Sequence, residues 1–548
     1  MTRGATALVA AGALVALGVA AAPRKDRASR GPEARPVSWE VDCAAPGHRV
    51  SPRIYGIAGA GDDPPWIWEL GATARRWGGN GASRYNWELG NAWNTNHDWF
   101  FRNVPVSGRP SFGWSAFLDE DLEHGVATAL TVPTLGWVAK DASSYSFPIS
   151  TVGPQAAHAP ELPDAGNGVR ADGTPLPAAP TRTSVRSTPA SVEAWVRAIR
   201  EGDRARGRRR VQLYILDNEP GLWHRTHRDV RAEPLTYDEL LERTVAYAGA
   251  IRRADPGATI AGPAAWGWQE LLYSAADVEA GVDRRPDRRA HGDVPLLAWW
   301  LRELAGYERR TGARLLDVVD VHFYPQSDAI GVGRRGGTDP ATSALRLRST
   351  RALWDPSYED ESWIGEKVAL IPTLRRWIAE NRPGLGISIG EWNFGAEEHM
   401  SGGLAVAEAL GRFGAEGIHS AHYWTYPPRR SPAYWAFRAF RDFDGKGGRF
   451  LDWSLPATAR GEAKLASLFA SADEDRREVV AVLLNLSPTS ALSATVSFGP
   501  CGVGAARALA YAGGEAGFRP TRATVVAGKV QVVAPPYSIT VVDADLSH

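Results

Sequence analysis

Cysteine is almost missing from this chain of 548 residues, which has only Cys43 and Cys501. Two are too few for a disulfide-built scaffold. A surplus of either charge is missing too, since 62 lysines and arginines balance 62 aspartates and glutamates. With no basic field to hold a phosphate backbone, nucleic acid is not an expected partner. Beyond the first residues no apolar run is long enough to span a bilayer. The motifs of several enzyme classes are also absent. The glycine-rich "GAGD" and "GGNG" stand outside a strand–GxGxxG–helix context, no GxxxxGK[ST] occurs, and no serine sits in a GxSxG elbow. Around His322, His419 and His422 there is no HxxxH, CxxC or HExxH spacing, so metal-assisted chemistry is not expected of them.

What the chain has in quantity is tryptophan, 22 residues, many beside glycine, asparagine or other aromatics in predicted loops. Flat apolar faces stack on sugar rings, although most tryptophans of a large chain belong to its core. At the start, Arg3 precedes an apolar stretch that ends in small residues near Ala20 to Ala22, the layout of a secretory signal over residues 1–22. Retention as a membrane anchor is the alternative, but the run is shorter than the ~20 residues a spanning helix needs. Exported chains meet oxidising conditions, in which Cys43 and Cys501 can pair as one staple between the two ends of the chain. Residues 23–36 read as a linker, and the mature protein is expected to be extracellular, monomeric and free of the membrane.

Length alone predicts more than one folding unit. From Ile54 to Tyr426, short apolar runs alternate with longer segments of helical period, the pattern of βα units around a parallel sheet. Eight strand candidates begin at Ile54, Ala72, Ala127, Val211, Ala258, Leu316, Gly386 and His419, the number that closes a (β/α)8 barrel, here over residues 51–453. One intervening helix opens with Thr236 and Glu239 at capping-box spacing and stops at Asp255-Pro256-Gly257. Two long excursions, residues 143–189 and the segment after the sixth strand, belong at the C-terminal face, where loops build substrate clefts. After about Trp453, short alternating strands such as "EVVAVLLNLS" predict a β-sandwich over residues 454–548. "PVSWEVDC", within residues 37–50, reads as a further strand of that sandwich and brings Cys43 near Cys501. The expected fold class is α/β, a TIM-type barrel with a second, smaller β-sandwich.

The fourth strand ends in "LDNEPGLW", with Glu219 between a carboxamide and a proline, and the seventh ends in "SIGEWNFG" around Glu391. Barrel strand ends meet at one rim, so the two acids face each other across the mouth. Glycosidic cleavage needs such a pair, one acid to protonate the leaving oxygen and one carboxylate to attack or stabilise the anomeric carbon. The residues alone do not say which is which. Asn218 and Asn80 supply amides for sugar hydroxyls, and His322 and Tyr324 can hydrogen-bond a carboxylate. Trp424, at the end of the eighth strand, offers a floor for the reacting sugar. Trp77, Trp87, Trp223, Trp266 and Trp392 are further candidate sugar contacts.

"RRWGGN", "YNWE", "PTLGWVAKD", "ILDNEPGLWHRTHRDV", "VDVHFYP", "RSTRALWDPSYEDESWIGE" and "ISIGEWNFG" follow one another at matching strand ends. In them the chain from about Val37 onward resembles glycoside hydrolase family 44. The resemblance implies a secreted endo-β-1,4-glucanase or xyloglucanase acting on amorphous cellulose, carboxymethylcellulose or xyloglucan. It makes Glu219 the acid/base and Glu391 the nucleophile of a retaining double displacement. Their carboxyl groups should then lie ~5 to 5.5 Å apart, with Glu391 kept ionised by Tyr324 or an arginine of "RRWGGN". The chemistry needs no cofactor, but the resemblance implies a structural calcium, for which Glu88 and Asp141 are candidate oxygen ligands. Mannan, xylan or arabinan remain alternative substrates, since a two-glutamate barrel serves many sugars. A non-catalytic carbohydrate-binding protein is the reading from another class, and the presence of both glutamates speaks against it. No separate cellulose-binding module is recognised past the sandwich, so strong attachment to crystalline cellulose is not expected.

Overall fold

The computed structural model describes residues 34–59, 61–461 and 463–547. The expected secretory signal and most of the expected linker lie outside these residues. Eight parallel strands close a barrel in sequence order: β1 (Gly56–Ala58), β2 (Ala74–Trp77), β3 (Ala127–Val132), β4 (Val211–Leu216), β5 (Ile260–Ala265), β6 (Val318–Phe323), β7 (Gly386–Trp392) and β8 (Ser420–Tyr423). Each falls inside one of the eight expected runs. Every residue of β5 and β6 is buried, as parallel strands covered on both faces require.

Six helices matter for the site and its support: α1 (Trp114–Glu123), α2 (Pro189–Arg206), α3 (Tyr237–Ala254), α4 (Trp268–Leu272), α5 (Met400–Ala415) and α6 (Pro432–Arg441). Half of the expected capping box forms at α3, where Thr236 Oγ1 accepts the Glu239 N–H at 3.3 Å. The reciprocal bond is not made, because Arg231 and Arg243 take the Glu239 carboxylate instead. The first long excursion packs Phe147 and Leu176 against Phe101 of the loop after β2 in a small core of their own. The second carries the helix Pro340–Ser349, whose buried Arg346 donates to the Phe394 carbonyl at 2.8 Å and to Ser401 Oγ at 2.8 Å, just beyond β7.

Beside the barrel, a seven-stranded and a five-stranded sheet pack face to face. The central strand Glu478–Asn485 shows why almost all its residues are buried. Val480, Val482 and Leu484 join the barrel's core, while Val479, Ala481 and Leu483 face the other sheet, the two-residue period of a strand covered on both sides. The N-terminal strand Arg35–Val41 enters the five-stranded sheet, parallel to Leu492–Ser497. Arg35 and Pro36, expected in the linker, are thus already paired, and Trp453, expected as the last barrel residue, opens the sandwich strand Trp453–Leu455. Cys43 and Cys501 are joined as a disulfide, with Cα atoms 6.3 Å apart. No helix among the described residues is long and apolar enough to cross a membrane.

Candidate active site

Glu391 and Glu219 come together at the C-terminal mouth of the barrel. Glu391 is the sixth residue of β7 and 4% exposed. One of its oxygens accepts a hydrogen bond from Arg76 Nη1, the other from the Tyr324 hydroxyl at 2.9 Å. Arg76 reaches it because side chains alternate along β2. Arg76 points into the barrel, while Arg75 and Trp77 point out onto Phe117 of α1. His322 is paired with Glu391 in the β6–β7 register, and its Nδ1 lies 2.9 Å from Glu219 Oε1 and 3.5 Å from Glu391 Oε2. An oxygen of Glu219, an oxygen of Glu391 and a His322 nitrogen all lie within 4.8 Å of one another.

The electrostatics differ between the members. Burial by itself pushes the Glu391 pKa up, but the charges of His322 and Arg76, with hydrogen bonds from Arg76 and Tyr324, hold it below the ordinary carboxylate range. Burial by itself lowers the His322 pKa, and the charges on Glu391 and Glu219 reverse the direction to upward. The Tyr324 phenol is pushed well above its ordinary range by burial and the same two glutamates, so it stays a donor.

Glu219 stands just past β4 in the left-handed region, with φ 46°. This turn brings its carboxylate to the mouth, with 15% of the side chain exposed. The segment around it is tied on every side. Asp217 accepts bonds from Ser83 Oγ, from the Thr134 and Leu135 N–H groups beyond β3, and from the Asn218 N–H. Asn218 Oδ1 accepts Arg76 Nη2 at 2.9 Å, which turns its Nδ2 toward Asn80 Oδ1 at 3.1 Å. Trp424 is half-buried at the end of β8, and its ring lies against Gly79, where a Cβ would come 2.5 Å from it.

The family model of glycoside hydrolase family 44 matches residues 92–327. The fold of CelM2, a bifunctional glucanase-xylanase from a metagenome library, superposes with a TM-score of 0.87 and 33% identity, covering 94% of this chain and 100% of CelM2. The chain belongs to glycoside hydrolase family 44. It is 29% identical to Endoglucanase A of Paenibacillus lautus over 84% of its own length, and 28% identical to the Beta-mannanase/endoglucanase A of Caldicellulosiruptor saccharolyticus over 80%. It spans 65% of the first of these curated relatives and 33% of the second.

Within this family 44 chain three of the expected sugar contacts must be corrected. Trp77 and Trp392 are fully buried and Trp223 is 1% exposed. Trp77 follows Arg76 and Trp392 follows Glu391, so the strand period turns each onto the outer face of the barrel. There Trp77 meets Tyr85 and Phe117, and Trp392 meets Phe413 of α5 and Phe437 of α6. Trp223 lies under the mouth and its Nε1 donates to the Asn218 carbonyl at 3.1 Å, supporting the site from behind. Trp266 is half-buried at the end of β5, and Trp87 packs its ring against the main core.

The two calcium candidates differ in their surroundings. Glu88 is exposed. Against partial burial, hydrogen bonds from Ser144, Ser143 and Asn103 hold the Asp141 pKa down at about 2. Among the described residues, the group of three acids or histidines placed to share an ion is Glu219, His322 and Glu391, which contains neither candidate.

Proposed function

We propose that this chain is a retaining endo-β-1,4-glucanase that cuts internal bonds of β-1,4-glucans, xyloglucan included. The Glu219–Glu391 pair carries the reading, since oxygens within 4.8 Å suit the ~5 to 5.5 Å of a retaining enzyme. An inverting enzyme needs ~6.5 to 9.5 Å to admit a water between its carboxyl groups. Glu219, the more accessible of the two, gives its proton to the departing sugar oxygen as the glycosidic C–O bond breaks. Glu391, ionised and aimed by Arg76 and Tyr324, forms the new C–O bond to the anomeric carbon. In the second half Glu219 takes a proton from water, whose oxygen attacks that carbon, and the ester to Glu391 breaks with net retention. Asn218 holds a sugar hydroxyl beside the anomeric carbon, and Trp424 floors that ring.

Endo-action is supported by the two curated relatives, both named endoglucanases. Export is supported by the Cys43–Cys501 disulfide, a bond that forms and persists mainly in oxidising surroundings. Xylan is a second reading, favoured by the glucanase-xylanase activity of CelM2. Incubation with β-glucan, xyloglucan, xylan and mannan, with product sizing and NMR of the first-formed anomer, tests the proposal. It expects mid-chain cuts in glucans and β-anomeric products. Release of monomers from chain ends, or α-anomeric first products, would contradict it.

A further inference from the structure

Behind Glu219 lies a third carboxylate that the double displacement does not use. Glu270 sits in α4 and is 3% exposed. Both its oxygens are taken by backbone donors, the Gly221 N–H at 2.7 Å and the Trp266 N–H at 2.7 Å. Gly221 is two residues past Glu219, and Trp266 directly follows β5. One buried side chain therefore ties together the segments that leave β4 and β5.

Both segments need holding. Glu219 and Ala264 have φ of 46° and 57°, conformations that L residues keep only where their surroundings over-determine them. The two support each other, since the Glu219 N–H donates to the Ala264 carbonyl at 3.0 Å. Glu270 closes the arrangement from outside. The glycine makes room for it, because a Cβ on Gly221 would lie 2.6 Å from the Glu270 carboxyl carbon. Burial raises the Glu270 pKa to about 7 against its two N–H bonds, and the charge of Glu219 acts in the same upward direction.

We infer that Glu270 is a positioning residue for Glu219, clamping Gly221 and Trp266 so that the acid/base carboxyl meets the departing oxygen. This rests on the acid/base reading of Glu219 proposed above. A mispositioned acid harms only those substrates whose leaving group needs a proton. Glucans do, and aryl glycosides with good leaving groups do not in the step that kcat/KM reports.

The test compares kcat/KM on a cello-oligosaccharide with kcat/KM on an activated aryl cellobioside for Glu270→Gln, Gly221→Ala and, as reference, Glu219→Ala. Glu270→Gln keeps the volume but turns an NH2 toward one of the two N–H donors. Gly221→Ala pushes on the clamp from the other side with Glu270 intact, and decides the matter if the glutamine variant does not fold. Both variants should lose about tenfold or more on the oligosaccharide and at most about twofold on the aryl substrate. Equal losses on both substrates, or no loss on either, overturn the inference while a split in Glu219→Ala leaves the acid/base reading standing. No split in Glu219→Ala removes that reading and the inference together.

Discussion

The ends of β7 and β4 present the same side chain in two ways. Glu391 stays within its strand, is buried, and receives a guanidinium and a phenol on its two oxygens. Glu219 lies one turn beyond its strand in a left-handed conformation, is more accessible, and has the His322 nitrogen as its hydrogen-bonding side-chain neighbour. The difference teaches that role follows surroundings. A carboxylate clamped by Arg76 and Tyr324 is held ionised and aimed, which suits the proposed nucleophile, whereas the more accessible one suits the proposed acid/base.

The strongest way to break the comparison is Glu391→Gln. It should lower kcat/KM by about 10⁴-fold or more on glucans and aryl glycosides alike, because the covalent bond to the anomeric carbon has no other donor. Steady-state rates on both substrates check this, and near-normal turnover on either would exchange or abolish the two roles. Glu219→Ala should instead lose about 10²- to 10⁴-fold on glucans and keep most of its kcat/KM on activated aryl cellobiosides. Tyr324→Phe sharpens the comparison by loosening only the Glu391 side, and a hydrogen bond to a charged group corresponds to a loss of about 10- to 100-fold. The Glu391 pKa is depressed when folded, so activity that needs its charge is lost as pH falls through that pKa. Removing the phenol raises the pKa, and the acid limb of the pH–rate profile should move to higher pH. An unmoved limb would mean that Tyr324 does not hold the charge. The smallest effect on catalysis is expected from replacing Cys43 and Cys501 together by serine. The loop they close spans 458 residues, so stability should fall by about 4 to 6 kcal/mol by denaturant titration, while kcat/KM at low temperature stays unchanged. A drop in kcat/KM matching the stability loss would tie the mouth to the sandwich.

Much of this site was legible in the sequence because strand ends of a barrel converge. Asn218-Glu219-Pro220 and the glutamate of "SIGEWNFG" could be placed on one rim without knowing any contact, and His322 and Tyr324 followed from the end of β6. The tryptophans were harder to read. Trp77 and Trp392 stand next to Arg76 and Glu391 in sequence but on the opposite face of their strands, a distinction that the two-residue period carries and that rim proximity hides. Asp217 and Glu270 were missed for another reason. They act on backbone N–H groups of other segments, and no side-chain motif records such a bond. Its place two residues before Glu219 was the available signal for Asp217. For Glu270 there was only an acid in a short helix that reads as surface.

A 2-deoxy-2-fluoro cellobioside with a good leaving group reports most directly on the assignment, because it halts a retaining enzyme at the covalent stage. Peptide mass spectrometry after inactivation should find the added sugar on Glu391, in the peptide containing "SIGEWNFG". A label on Glu219, or time-independent inhibition with no covalent adduct, would contradict the division of labour between β7 and β4.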